Sequence, residues 1–117
     1  MAKSDDNEVQ RRAYFRLLYP QVERPCLLTD GASYPVSEIS EGGMRLVALD
    51  QGDDLTQQRQ IVGILQLPGD SVAVEGRVLR KQSDEVVLVL SEGIPLALMV
   101  SEQRRLIRKY PAFFGRE

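Results

Sequence analysis

The stretch PCLLTDGASYPV, residues 25–36, decides the fold. Short apolar runs flank Asp30-Gly31, and such a dipeptide between apolar runs is the strongest short-range hairpin signal, because both central positions of the turn need φ above zero. Outward from it the same grammar repeats. MRLVALD (44–50), IVGILQL (61–67), SVAVEGRVLRK (71–81) and EVVLVL (85–90) are short, β-branched or alternating runs. Between them lie the turn-forming cluster SEISEGG (37–43), the polar residues 52–58, Leu67-Pro68-Gly69-Asp70 and Gln82-Ser83-Asp84. Upstream, AYFRLLY (13–19) stops at Pro20, as a strand does. Short strands with regular turn signals predict a mainly β fold, a small antiparallel barrel or sandwich.

The C-terminal part changes period. After Pro95, apolar residues recur at Leu96, Met99, Val100, Leu106, Ile107 and Tyr110, which predicts a helix over about 95–110 with Pro111 as its stop. Arg104, Arg105, Arg108 and Lys109 in its later half complement the helix dipole and face solvent. Their alternative, a nucleic-acid face, is opposed by a net charge of -2. The predicted architecture is an antiparallel barrel closed or flanked by one helix.

A chain of 117 residues suits one domain, here residues 11–117 after a flexible acidic tail, 1–10. That tail reads neither as a secretory signal nor as a transit peptide. No apolar run approaches the roughly 18 residues needed to cross a bilayer. Cys26 is the only cysteine. It reads as a buried structural thiol, and its solitude excludes an internal disulfide and points to a reducing compartment, the cytoplasm. With no histidine, a Ser-His-Asp triad, a Cys-His pair and the common zinc sites are unavailable. Asp5-Asp6 and Asp53-Asp54 are sequence neighbours, which do not converge on a strand or a helix. No phosphate-binding glycine fingerprint is present. The expectation is a binding protein without catalysis, metal or cofactor.

Two clusters carry chemistry. RRAYFRLLYP (11–20) places Arg11, Arg12 and Arg16 just before the first apolar run. In an extended chain Arg12, Tyr14, Arg16 and Leu18 share a side, and in a helix Arg12 and Arg16 are one turn apart. Either way two guanidiniums can fork onto phosphate oxygens or the O6/N7 edge of guanine. The plain alternative is a solvated arm. The second cluster is SEISEGG. Gly42-Gly43 opens backbone conformations closed to other residues and leaves room for a ligand. Ser40 with the glycine amides can cradle an anion. Glu38 can accept the adjacent N1–H and N2–H of guanine. Its plain alternative is a hairpin turn. Together the clusters imply a ligand with guanine and phosphate.

Arg12-x-x-x-Arg16 followed by Glu38-x-Ser40-x-x-Gly43 resembles the paired signature of PilZ domains, receptors for the bacterial second messenger cyclic di-GMP. VEGRVLR (74–80) and a helix carrying EQRRLIRKYP (102–111) are also similar to this family, so the resemblance runs from Arg11 to about Pro111. It implies a six-stranded antiparallel barrel with a C-terminal helix, the arginine motif in an N-terminal switch segment, and the second motif on a strand and its adjoining turn. By position it gives Arg12 and Arg16 phosphate and guanine, Ser40 and Gly43 the phosphate side of the pocket, and Glu38 the guanine edge. Arg11 takes the position that bears on whether one dinucleotide or a stacked pair binds. The family prefers Asp or Asn where this chain has Glu38, which adds a rotor to be ordered on binding.

The residues admit three functions. The leading one is a stand-alone receptor whose arm is ordered by a dianionic ligand and which signals to a partner protein in motility, biofilm or polysaccharide regulation. The second is a protein-interaction module with an inactive nucleotide site, with the aromatic tail YPAFFGRE (110–117) as a hook or a surface cover. The third, a single-strand nucleic-acid barrel, wants stacking aromatics and a basic groove, which 6% aromatic residues and negative charge do not supply.

Overall fold

The computed structural model describes residues 16–48 and 55–114. Arg11, Arg12, the tail and both Asp-Asp pairs lie outside the described residues. Seven strands run β1 Arg16–Leu18, β2 Cys26–Thr29, β3 Ala32–Ser40, β4 Gly43–Val47, β5 Gln60–Leu67, β6 Asp70–Gln82 and β7 Glu85–Glu92, followed by helices α1 Leu96–Lys109 and α2 Pro111–Phe114. Every pairing is antiparallel. The order is β1-β3-β2-β5-β6-β7-β4, and β4 pairs back onto β3 to close the wall.

The first two strands are one strand with a detour. β1 pairs with β3 at Leu18↔Glu38 and β2 pairs with the same strand at Cys26↔Pro35. Between them the Tyr19 amide donates to the Ser37 carbonyl at 3.0 Å and the Val36 amide donates to the Pro25 carbonyl at 2.8 Å. The residues between make a 3-10 turn, Gln21–Glu23, between Pro20 and Pro25. Prolines lack an N–H for a ladder, so they bracket an excursion rather than a continuous strand. Counting β1 and β2 as one, the wall is the six-stranded barrel expected.

Turn chemistry lands where the sequence puts it. Asp30 and Gly31 have φ of 50° and 76°, the paired positive values of the predicted hairpin. Gly69 follows Pro68 with φ of 79°, as a type II turn requires. Inward positions alternate along the strands and fill the interior with Leu17, Leu27, Val36, Ile39, Leu46, Ile61, Leu65, Val78, Val86 and Leu88.

Four expectations differ from the structure. The turn cluster predicted over 37–43 is mostly strand: Ser37 to Ser40 belong to β3, and only Glu41 and Gly42 turn. The helical stripe is rotated from the one predicted. Met99 and Leu106 join the core and Tyr110 packs on it, but Leu96 and Ile107 are exposed while Glu102 is buried. A helical period does not say which of two flanking apolar positions meets the barrel. Pro111 ends α1 yet begins a further helical turn, α2, consistent with proline's fitness for a first helical turn. Cys26 is half-buried rather than sealed in the core.

Candidate ligand-binding site

A β-bulge decides which side chains meet on the outer wall. Val36 faces Leu46 across β3 and β4, and the next pair is Glu38 with Arg45, so two steps on β3 match one on β4. Val36 and Ser37 are both buried in consequence, and Glu38 turns outward. A second irregularity between Val78 and Arg80 on β6 brings Arg80 opposite Val87. Two cross-strand rows result. One runs Leu18, Glu38, Arg45, Val87, Arg80; the other runs Arg16, Ser40, Gly43, Val89, Arg77.

These rows enclose a cavity of about 150 Å³ lined by Arg16, Glu38, Ser40, Gly43, Met44, Arg45, Leu79, Arg80 and Val87. Two guanidiniums, of Arg16 and Arg45, therefore flank the Glu38 carboxylate, and Arg80 lines the same cavity. Arg45 Nε donates to Glu38 Oε1 at 3.0 Å, and Arg16 Nε stands 3.9 Å from Glu38 Oε2. Arg45 Nη1 also donates to Gln82 Oε1 at 3.2 Å and lies 3.6 Å from Glu85 Oε1. The Ser37 hydroxyl donates to the other Glu85 oxygen at 2.8 Å. The side chain of Arg16 is 70% exposed, whereas that of Arg45 is 31% exposed. The first is free to grip a ligand; the second is braced.

Of the seven predicted site residues, the structure brings Arg16, Glu38, Ser40 and Gly43 to this one cavity. Gly42 does not line it; its carbonyl accepts from the Leu90 amide at 2.9 Å. Neither Gly42 nor Gly43 has a positive φ, so the conformational freedom read into the pair is not used. Gly43 is small for another reason: a Cβ there would lie 2.6 Å from the Leu88 carbonyl oxygen of β7. The Ser40 hydroxyl donates to the Gly43 carbonyl at 3.3 Å, so an anion competes with that carbonyl for its proton. Sequence reading missed Arg45 and Arg80. For Arg45 the only signal is alternation, since it stands between Met44 and Leu46, which point in. Arg80 has no such signal, because the irregularity at Val78/Arg80 breaks the alternation and Leu79 and Lys81 are not in the core.

The larger hollow, about 680 Å³, lies elsewhere, beneath the Asp30-Gly31 turn and against Leu28, Val62, Ile64 and Ala73. Its lining is mostly apolar and gathers no cation, so it does not suit phosphate.

The excursion between β1 and β2 carries a polar network that sequence reading also missed. Glu23 accepts from Arg105 Nη1 at 3.0 Å, Lys109 Nζ at 2.8 Å and the Tyr110 hydroxyl at 2.9 Å. These bonds, that of Lys109 foremost, hold its carboxyl down at about 2, and raise the pKa of Lys109 and Tyr110. The Tyr19 hydroxyl donates to buried Glu102 at 2.9 Å, and burial first, then Glu102, raises its pKa. Arg105 donates to both Glu102 oxygens, at 3.0 and 3.2 Å. Basic residues predicted to face solvent thus pair with Glu23 and Glu102 in two of four cases.

A barrel whose interior is filled, and whose outer wall gathers guanidinium, hydroxyl and carboxylate groups, is of the class of small antiparallel barrels that bind at their surface. The chain belongs to the PilZ domain family, whose model matches residues 10–110. The family is one of cyclic di-GMP receptors, and its domains are binding modules, generally non-enzymatic. The chain is also similar in fold to a crystal structure of an uncharacterized Legionella protein, with a TM-score of 0.60 and 22% identity over 82% of this chain and 99% of that one. No curated protein matches it. Among the described residues no helix is long and apolar enough to cross a membrane.

Proposed function

We propose that this chain is a non-catalytic cyclic di-GMP receptor that passes its signal to a partner protein. One observation supports it above the rest. Arg16 on β1, Glu38 and Ser40 on β3 and Gly43 on β4 line a single cavity on the outer wall. In this reading Arg12 and Arg16 hold phosphate and guanine, Ser40 and Gly43 shape the phosphate side, Glu38 reads the guanine edge, and Arg11 is compatible with a stacked pair. Three nearby arginines repel one another, and a dianionic ligand offsets that repulsion and draws the arm onto the barrel. The excursion after β1 is bonded to α1, so a ligand that draws the arm ahead of β1 onto the barrel acts on the surface that a partner meets. The setting is the cytoplasm, and the process motility, biofilm or polysaccharide regulation.

Isothermal titration with cyclic di-GMP, with GTP and the linear dinucleotide as controls, tests the reading. Arg12→Ala and Arg16→Ala each weaken binding by about 1–3 kcal/mol, as for arginine–guanine contacts. Unchanged affinity in both refutes the assignment. A second reading, an interaction module with an inactive nucleotide site, is favoured by the bond of 3.0 Å that already engages Glu38. Thermal melts separate the two, because a ligand at a hundred times its dissociation constant stabilises the fold by about 2.7 kcal/mol. An unmoved midpoint favours the module.

A further inference from the structure

We infer that Arg45 is a positioning residue for the nucleotide: it presets Glu38 so that the carboxylate meets guanine already ordered and already neutralised. The inference rests on the receptor reading above and adds a residue to it.

The bulge on β3 places Glu38 outward and abreast of Arg45. There the Arg45 guanidinium is fixed from three strands, by Glu38 on β3, Gln82 on β6 and Glu85 on β7. Glu85 is itself anchored by the Ser37 hydroxyl. An arginine so braced does not swing out to a ligand. What it does is hold Oε1 of Glu38, whose side chain is only 13% exposed. A carboxylate has about four lone-pair sites. Arg45 Nε takes one of them, and Oε2 has Arg16 Nε at 3.9 Å, outside hydrogen-bond reach. Acceptor sites therefore remain on both oxygens for the paired N1–H and N2–H of guanine.

Two consequences follow from ordinary physical chemistry. The rotors of Glu38 are ordered during folding and not during binding, so ligand does not bear that entropy. The guanidinium also cancels the carboxylate's charge where phosphates approach, which an unpaired Glu38 would repel. Arg45 thus acts through Glu38, without touching the ligand.

The test is a double-mutant cycle read by titration with cyclic di-GMP, using Arg45→Met, Glu38→Gln and the pair. Wild-type protein is titrated first; absence of binding there defeats the receptor reading itself and takes the inference with it. Given binding, Arg45→Met is expected to weaken it about tenfold, the size of one charge-assisted hydrogen bond. Glu38→Gln weakens it too, and the double variant is no weaker than the worse single one, because Arg45 has nothing to position once Glu38 is gone. Arg45→Lys, which keeps the charge and a donor, restores part of the loss. Unchanged affinity in Arg45→Met or in Glu38→Gln overturns the inference and leaves the receptor reading standing. Losses that multiply in the double variant also overturn it, since they assign Arg45 a role independent of Glu38.

Discussion

At the scale of single residues, Glu102 is the costliest choice in the chain and the best supported. Only 5% exposed, it is the one acidic residue among the described residues that is fully buried. A buried carboxylate is tolerated only where hydrogen bonds and opposite charge replace water. Tyr19 and Arg105 supply both, and the Tyr19 hydroxyl is kept protonated by burial and by the carboxylate it serves. The two ends of this pair are unequal. Tyr19→Phe removes one donor but leaves Glu102 held by Arg105, and is expected to cost about 0.5–1.5 kcal/mol in urea unfolding, the net worth of one hydrogen bond. Glu102→Ala leaves the Tyr19 hydroxyl buried without an acceptor and opens a void as well, so it costs more, about 2–4 kcal/mol. The reverse order of the two losses would mean that the tyrosine, and not the carboxylate, organises the contact.

At the scale of elements, the turn between β3 and β4 shows how a site is held by something far from it in sequence. Ser40 and Gly43 flank Glu41-Gly42, and the chain leaving β7 passes so close that a Cβ on Gly93 would lie 1.7 Å from the Glu41 carbonyl oxygen. Main chain meets main chain there, so no rotamer relieves an added methyl. Gly93→Ala is expected to lower stability by about 1–3 kcal/mol and to weaken nucleotide binding by displacing the turn. Gly42→Ala is the contrast: nothing lies within 4 Å of its Cβ, and stability stays within about 1 kcal/mol of the parent. Equal behaviour of the two in denaturant melts would remove the steric account. This pair also marks the limit of sequence reading. Asp30-Gly31 and Pro68-Gly69 were legible because a turn's chemistry is local to its own residues. The steric need for Gly43 and Gly93 was not legible, because the atoms that exclude a Cβ there are main-chain carbonyls of residues distant in sequence. The bulge at Val36 was equally hidden: Val36-Ser37-Glu38-Ile39 fits either phase of a two-residue period, and only the partner strand chooses. Four of the predicted site residues were legible because a motif fixes their spacing. Arg45 and Arg80 were not, since their place depends on which strands lie side by side.

At the scale of the whole molecule, the excursion between β1 and β2 links the cavity to the helix. Arg16 enters the cavity from β1, Tyr19 leaves that strand to reach Glu102, and Glu23 reaches Arg105, Lys109 and Tyr110 on and after α1. The outer side of α1 carries exposed Leu96 and Ile107 with Arg104 and Arg108. Seating of α1 therefore depends on the charge of Glu23, and its pH dependence has a definite sign. The carboxyl titrates at about 2 in the folded chain, below its value of about 4.3 in an unfolded one. A depressed carboxyl contributes stability that is fully present above the unfolded value and is lost as pH falls through the folded one. Hydrogen exchange across α1 is thus expected to accelerate as pH is lowered from about 4.5 toward 2, once the intrinsic pH dependence of exchange is divided out. Glu23→Gln retains an acceptor but not a charge, so α1 in that variant exchanges faster at neutral pH and loses most of the acid dependence. If the variant and the parent respond to acid alike across α1, Glu23 does not govern the seating of the helix, and the excursion is only a connection between two strands.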